Sequence, residues 1–204
     1  MNKKKEHWEE VYGKKEDNQV SWYQDVPETS LRLIRDLRLA LDDAVIDLGG
    51  GNSNLTHELY KEGYQNLSVL DISGLALARS RKKMGAGGSG VNWIESDVLD
   101  FDAYNQYEVI HDRATFHFLT REDEIKKYVD IVTKAVKTGG FLIVSTFALS
   151  GPEKCSNLQV TQYSSDTLTS VFKENFKLIT TLNEVHTSPY NTSQDFLCCV
   201  FARI

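Results

Sequence analysis

The chain of 204 residues is 41% hydrophobic and 25% charged, the make-up of one globular domain with a core of its own. A net charge of −6 lacks the electrostatic footprint of a nucleic-acid binder, and no apolar run approaches the length of a membrane span. Three cysteines, Cys155, Cys198 and Cys199, with no Cys-x-x-Cys pair and no ligand-spaced histidines, argue against a disulfide framework and a structural zinc.

Residues 1–26 are dense in aromatics: Trp8, Tyr12, Trp22 and Tyr23. A helix around His7–Tyr12 puts Trp8 and Tyr12 on one face, either covering the edge of the core or folding over the sheet as a lid. The basic runs Lys3–Lys5 and Arg79–Lys83 read as a solvated terminus and a solvated helix face. Pro27 precedes a helical stripe of Leu31, Ile34, Leu37 and Leu41. Ala44-Val45-Ile46-Asp47-Leu48 then suits a strand buried on both faces. Gly49-Gly50-Gly51 follows, with Ser53 or Asn54 placed to cap the next helix, which continues as Leu55–Tyr60. This strand, glycine loop and helix make the first βα unit of a nucleotide-binding sheet.

Twenty residues beyond Gly51, Leu67–Asp71 is a second strand ending in a carboxylate, where an acid accepts the hydroxyls of an adenosine ribose. A helix from Ile72-Ser73 is broken by the glycines of 85–90. Val91–Ile94 is a third strand, with Asp97 just past it on the ligand-binding edge. Tyr107–His111 is a fourth strand. Thr120 is placed to cap a helix striped by Ile125, Tyr128, Val129, Val132 and Val136 and ended by Gly139-Gly140. Phe141–Phe147 is a fifth strand, followed by a loop from Gly151-Pro152 to about Ser164. Asp166–Glu174 forms a helix, and Phe176–His186 and Gln194–Arg203 form a closing antiparallel pair.

The glycine loop alone does not separate two cofactor classes. Asp47 does: a carboxylate there repels a pyrophosphate and favours a cofactor bearing an ammonium and a sulfonium. The third glycine of the dinucleotide fingerprint is also missing, since that position is Asn54. Asp47-x-Gly49-x-Gly51 with Asp71 resembles motif I and the acidic loop of the class I S-adenosylmethionine (SAM) dependent methyltransferases. The likeness runs from Trp22 to Ile204. His7-Trp8-x-x-Val11-Tyr12, Val20–Gln24, His111–Leu119 and Gly151–Ser156 are similar to a narrower bacterial-type set without assigned substrates, with thiol, thiopurine and protein-lysine methyltransferases as neighbours.

The resemblance implies a doubly wound, mostly parallel seven-stranded α/β sheet with an antiparallel last strand. It implies SAM as cofactor and S-adenosylhomocysteine as product. Gly49, Gly50 and Gly51 with Asp47 and His111 would hold the methionine end, Asp71 the ribose, Ile72 the adenine face, and Asp97 and Val98 the adenine edge, with Trp22 also at the cofactor. His111-Asp112-Arg113 and His117 lie where the resemblance puts the acceptor; His117 is a general base or an orienter of the acceptor, or else a core histidine between Phe116 and Phe118. No Asn-Pro-Pro-Tyr-like motif follows the fourth strand and no metal cluster is visible. Cys155 reads as a resting thiol. The expected protein is a cytoplasmic methyltransferase, one domain over residues 1–204, acting on a small-molecule acceptor. Neither nucleic acid nor membrane is an expected partner, and the chain would be a monomer or weak homodimer. The alternatives are a protein-lysine methyltransferase, a SAM-binding module without turnover, and an NAD-dependent oxidoreductase.

Overall fold

A computed structural model describes residues 3–204; Met1 and Asn2, the start of the expected N-terminal segment, lie outside the described residues. The chain opens with helix α1 (Lys3–Lys14), a short turn at Asp17–Gln19 and helix α2 (Glu28–Asp36). Then follow β1 (Val45–Leu48), α3 (Leu55–Lys61), β2 (Leu67–Asp71), α4 (Gly74–Met84), β3 (Asn92–Glu95) and β4 (Tyr107–Arg113). The second half holds α5 (Glu122–Ala135), β5 (Val136–Phe147), a small hairpin of β6 (Lys154–Cys155) and β7 (Leu158–Gln159), α6 (Ser165–Phe172), β8 (Phe176–Thr187) and β9 (Ser193–Arg203).

Seven strands form one sheet in the order β3-β2-β1-β4-β5-β9-β8. β1 lies parallel between β2 and β4, and β9 runs antiparallel between β5 and β8, as expected of a Rossmann-like methyltransferase sheet. All four residues of β1 are buried, because apolar layers cover both faces of the sheet. Register fixes the site: Leu48 pairs with Leu70 and with Asp112, so β1, β2 and β4 deliver their C-terminal ends to one edge. Among the described residues, no helix is long and apolar enough to cross a membrane.

Of the two candidate caps of α3, Asn54 holds the N-cap position without a side-chain cap bond, its amide reaching back to the carbonyls of Gln24 and Asp25, while Ser53 Oγ accepts from Leu55 N (3.0 Å). Other local expectations are corrected. Arg121, not Thr120, occupies the N-cap of α5 without a side-chain bond; Glu122, Asp123 and Glu124 offset its dipole instead. That helix stops at Ala135. Val136 is fully buried and already pairs with Tyr107, so the Gly139-Gly140 pair falls inside β5, at an irregularity of its pairing with β4. β4 carries on two residues beyond His111, to Arg113. Leu41 is 48% exposed and lies off the stripe of α2, which buries Leu31, Leu33 and Ile34. The basic runs also hold the N-terminal helix and its neighbours: Lys4 pairs with Glu124, Lys5 with Glu95, and Arg79 donates to Lys15 O.

Candidate active site

The chain leaves β1 through Gly49, whose φ of +70° lies in the left-handed region. A Cβ there would collide with the Thr115 hydroxyl, which itself donates to Leu48 O (3.1 Å). A Cβ on Gly51 would lie 2.7 Å from the Asp71 carboxyl. The loop therefore lies bare-backboned against β2. Gly49 N donates to Leu70 O, and Gly51 N and Ser73 N donate to the two oxygens of Asp71 (3.0 and 2.8 Å).

Burial pushes the Asp71 carboxyl up to about 6, against the two N–H donors, with the charges of Asp47 and Glu9 adding to the rise. Glu9 comes from α1 and accepts from Ser73 Oγ and Gly74 N (3.0 and 2.9 Å), at the start of α4. One turn of the N-terminal helix is thus fastened beside the acidic end of β2.

Asp47 faces its partner strand. His111 Nδ1 donates to its Oδ1 (2.7 Å), Ser30 Oγ lies 2.9 Å from Nε2, and the second carboxylate oxygen is buried without a partner. Asp112 points to the opposite face. Its Oδ1 accepts from Thr115 N and Phe116 N, and its Oδ2 from the Tyr128 hydroxyl (2.7 Å). Burial raises this carboxyl too, to about 6. Asp112 thereby fixes the turn after β4, where Ala114 takes a φ of +67°.

A cavity of about 360 Å³ opens between these elements. It is lined by Asp71, Ile72, Ser96, Asp97 and Val98, and by Trp8, Tyr12, Trp22, Arg113, Phe118, Cys155 and Leu158, the clustered rings among these forming its aromatic end. A recess of about 50 Å³ beside it is lined by Asp47, Gly49, Gly50, His111, Arg113 and Trp22. Every expected cofactor residue thus borders one of the two spaces except Gly51, which sits behind them on Asp71. The aromatic end is built from edge-on rings: Trp8 lies 5.8 Å from Trp22 and 5.2 Å from Phe118 between centroids.

His117 is absent from both linings. Its ring is fully buried between Phe118 and Phe147 (4.6 and 4.7 Å between centroids), and neither nitrogen has a partner. Burial, with the Arg113 charge adding, lowers its pKa to about 3. The geometry favours the core histidine over the general base. His117→Leu should keep turnover within about threefold of wild type in a steady-state assay, where loss of a general base would cost about 10²–10⁴-fold.

Cys155 lines the cavity, but burial holds its thiol protonated, its pKa pushed up to about 11. Leu158 and Gln159 were missed as lining residues because their strands have two residues each. The hairpin turns on Ser156 and Asn157, both at positive φ (48° and 64°), and only the asparagine hints at such a turn.

Residues 45–140, from the first strand through the fourth and into the fifth, match the family described as methyltransferase domain. The chain is a class I SAM-dependent methyltransferase. Among curated relatives, this methyltransferase is 25% identical to human EEF1A lysine methyltransferase 2 over 192 residues, which is 86% of this chain and 75% of that one. It spans 64% of the mouse counterpart and only 21% of the Drosophila melanogaster eEF1A lysine and N-terminal methyltransferase homolog. A structure solved for the conversion of a disulfide bond into a thioacetal group during echinomycin biosynthesis shares the fold (TM-score 0.80, 19% identity, 98% of this chain and 92% of that one). So does the Burkholderia thailandensis 1,6-didemethyltoxoflavin-N1-methyltransferase, solved with 1,6-didemethyltoxoflavin and S-adenosylhomocysteine bound (TM-score 0.70, 15% identity, 87% and 77%).

Proposed function

We propose that this methyltransferase moves a methyl group from SAM to a heteroatom of a small-molecule acceptor, in one domain whose residues 1–26 act as a lid. The residues fit the cofactor. Asp71 uses two of its acceptor sites on Gly51 N and Ser73 N and keeps others for ribose hydroxyls. The unpartnered Asp47 oxygen leaves negative charge beside the glycine loop for an ammonium. On this reading Gly49, Gly50 and Gly51, with Trp22 and His111, border the methionine end. Ile72 packs on the adenine, Asp97 accepts from its amino group and the Val98 amide donates to a ring nitrogen. SAM supplies an electrophilic methyl on a sulfonium. The protein aligns the acceptor with it and keeps water out, effects worth roughly 7–11 kcal/mol at their best.

One observation carries the small-molecule reading. The cavity lined by Asp71 and Asp97 is also lined by Trp8, Tyr12 and Trp22 of the chain's own N-terminal segment. The names of the curated relatives favour a second reading, methylation of a protein lysine. Incubation with labelled SAM, a panel of small thiols, amines and phenols, and lysate proteins separates them. Label in small molecules is expected, and label in polypeptide would favour the second. A thermal-shift experiment tests the cofactor. SAM at a hundredfold its Kd should stabilise the fold by about 2.7 kcal/mol and raise Tm by roughly 5–10 °C. NAD should leave Tm unchanged, and a larger shift with NAD would reinstate the oxidoreductase.

A further inference from the structure

We propose that Arg113 makes the aromatic end of the cavity a binding site for an acceptor that carries a carboxylate, an inference that rests on the small-molecule reading above. Arg113 is the last residue of β4, and its side chain shares a sheet face with His111. Its Nη1 donates to Trp22 O (3.3 Å) and its guanidinium lies 4.3 Å over the Phe196 ring. Nε and Nη2 are buried with no partner, and among the described residues no carboxylate comes within the 4.0 Å of an ion pair.

A guanidinium kept from water and left unpaired is costly, so such a group calls for an anion. The nearby acids act on Arg113 only at longer range. Glu184, whose charge favours the guanidinium, accepts from Gln24 Nε2 (2.9 Å), Asp47 accepts from His111, and Asp71 and Asp97 line the same cavity without pairing with Arg113. Of the other basic groups, Lys4 also lines the cavity but pairs with Glu124 (2.7 Å), and His117 and His186 both have lowered pKa values, through burial first and the Arg113 charge second.

The surroundings specify more than charge. Trp8, Trp22 and Phe118 offer ring edges and faces, and Leu158 closes one side. A planar carboxylate matches the guanidinium fork through two parallel hydrogen bonds, which a neutral amide cannot reproduce. A lysine ammonium entering the same chamber meets a like charge. The favoured acceptor is therefore a small ring-bearing acid, its carboxylate on Arg113 and its nucleophile turned toward the glycine loop. The competing claimant for Arg113 is the methionine carboxylate of the cofactor, because Arg113 also borders the recess by Gly49 and Gly50.

Calorimetric titration of the protein with S-adenosylhomocysteine, and then of the loaded protein with benzoate, benzamide and benzylamine, tests the assignment. Benzoate should bind saturably and about tenfold or more tighter than benzamide, with no binding of benzylamine. Arg113→Met should lose benzoate while keeping its affinity for S-adenosylhomocysteine. Arg113→Lys should retain the preference for the acid at lower affinity. Equal binding of benzoate and benzamide, or no benzoate binding to the loaded wild type, overturns the proposal. So does an Arg113→Met variant whose loss falls on S-adenosylhomocysteine, which would hand the residue to the cofactor. Failure of S-adenosylhomocysteine to bind the wild type overturns the proposed function and this inference with it.

Discussion

Replacing Asp71 with alanine should weaken SAM binding by roughly ten- to hundredfold, the loss of charge-assisted bonds worth about 1.5–3 kcal/mol. The variant should still fold. It loses a desolvated carboxylate and leaves Gly51 N and Ser73 N without their acceptors, opposing effects on the same turn. Unchanged affinity by calorimetry would place the ribose elsewhere. The same residue sets a pH dependence. Its pKa is raised by burial to about 6, so without ligand the stability it contributes is greatest below its ordinary value of 3.8 and is lost as pH rises through about 6. Asp112, also at about 6, acts in the same direction. Ribose hydroxyls favour the ionised form, so the SAM-induced rise in Tm should grow between pH 5 and pH 7, about those values marking the titration on either side. Asp71→Asn should flatten that growth, and a variant that keeps it would trace the titration to another group.

Deleting residues 1–25 should leave a cooperatively folded domain with weakened SAM binding and turnover reduced by about a hundredfold or more, the scale of losing alignment and dryness at the reacting centre. The segment is tied on by polar contacts: Glu9 to Ser73 and Gly74, Ser21 O to His186, Gln19 O to the Tyr190 hydroxyl and Trp22 O to Arg113. Tyr12 and Val20 are buried, yet neither belongs to the two apolar clusters that cover the sheet. Tyr12 lines the cavity, and Trp22 packs against the edge of one cluster. Deletion should also abolish a SAM-dependent change in tryptophan emission, which Trp22→Phe should diminish. An unfolded truncation product, or emission indifferent to saturating SAM, would make the segment a fixed part of the fold.

The sheet was legible because its signals are local. Ala44–Leu48 is apolar throughout except for Asp47, the glycines follow at once, and Asp71 ends the next strand. The cofactor edge follows from that order alone, through the rule that ligands sit at strand C-termini. What could not be read depends on partners far along the chain. Asn54 looks like a helix cap, but its amide is drawn away by the carbonyls of Gln24 and Asp25. Asp112 stands in the run expected at the acceptor, but its carboxyl bonds to Tyr128, sixteen residues on, on the other face. Arg113 stands in the same run, but its contacts to Trp22 and Phe196 come from residues far along the chain. His117 had equal claims as base and as core, which packing against Phe147 separates.

The fastening of Glu9 beside Asp71 couples the N-terminal helix to the proton. With the helix in place, Asp71 is desolvated and has a second negative charge near it, and both raise its pKa. Lifting the helix would carry Glu9 away and remove its share of the rise in that pKa. The covered, ligand-free form therefore holds a proton more tightly than the uncovered form, and mild acidity shifts the balance toward it. Cofactor and proton then compete for one pair of oxygens, and the empty enzyme in an acidifying cell would sit with its helix down and its ribose site neutralised.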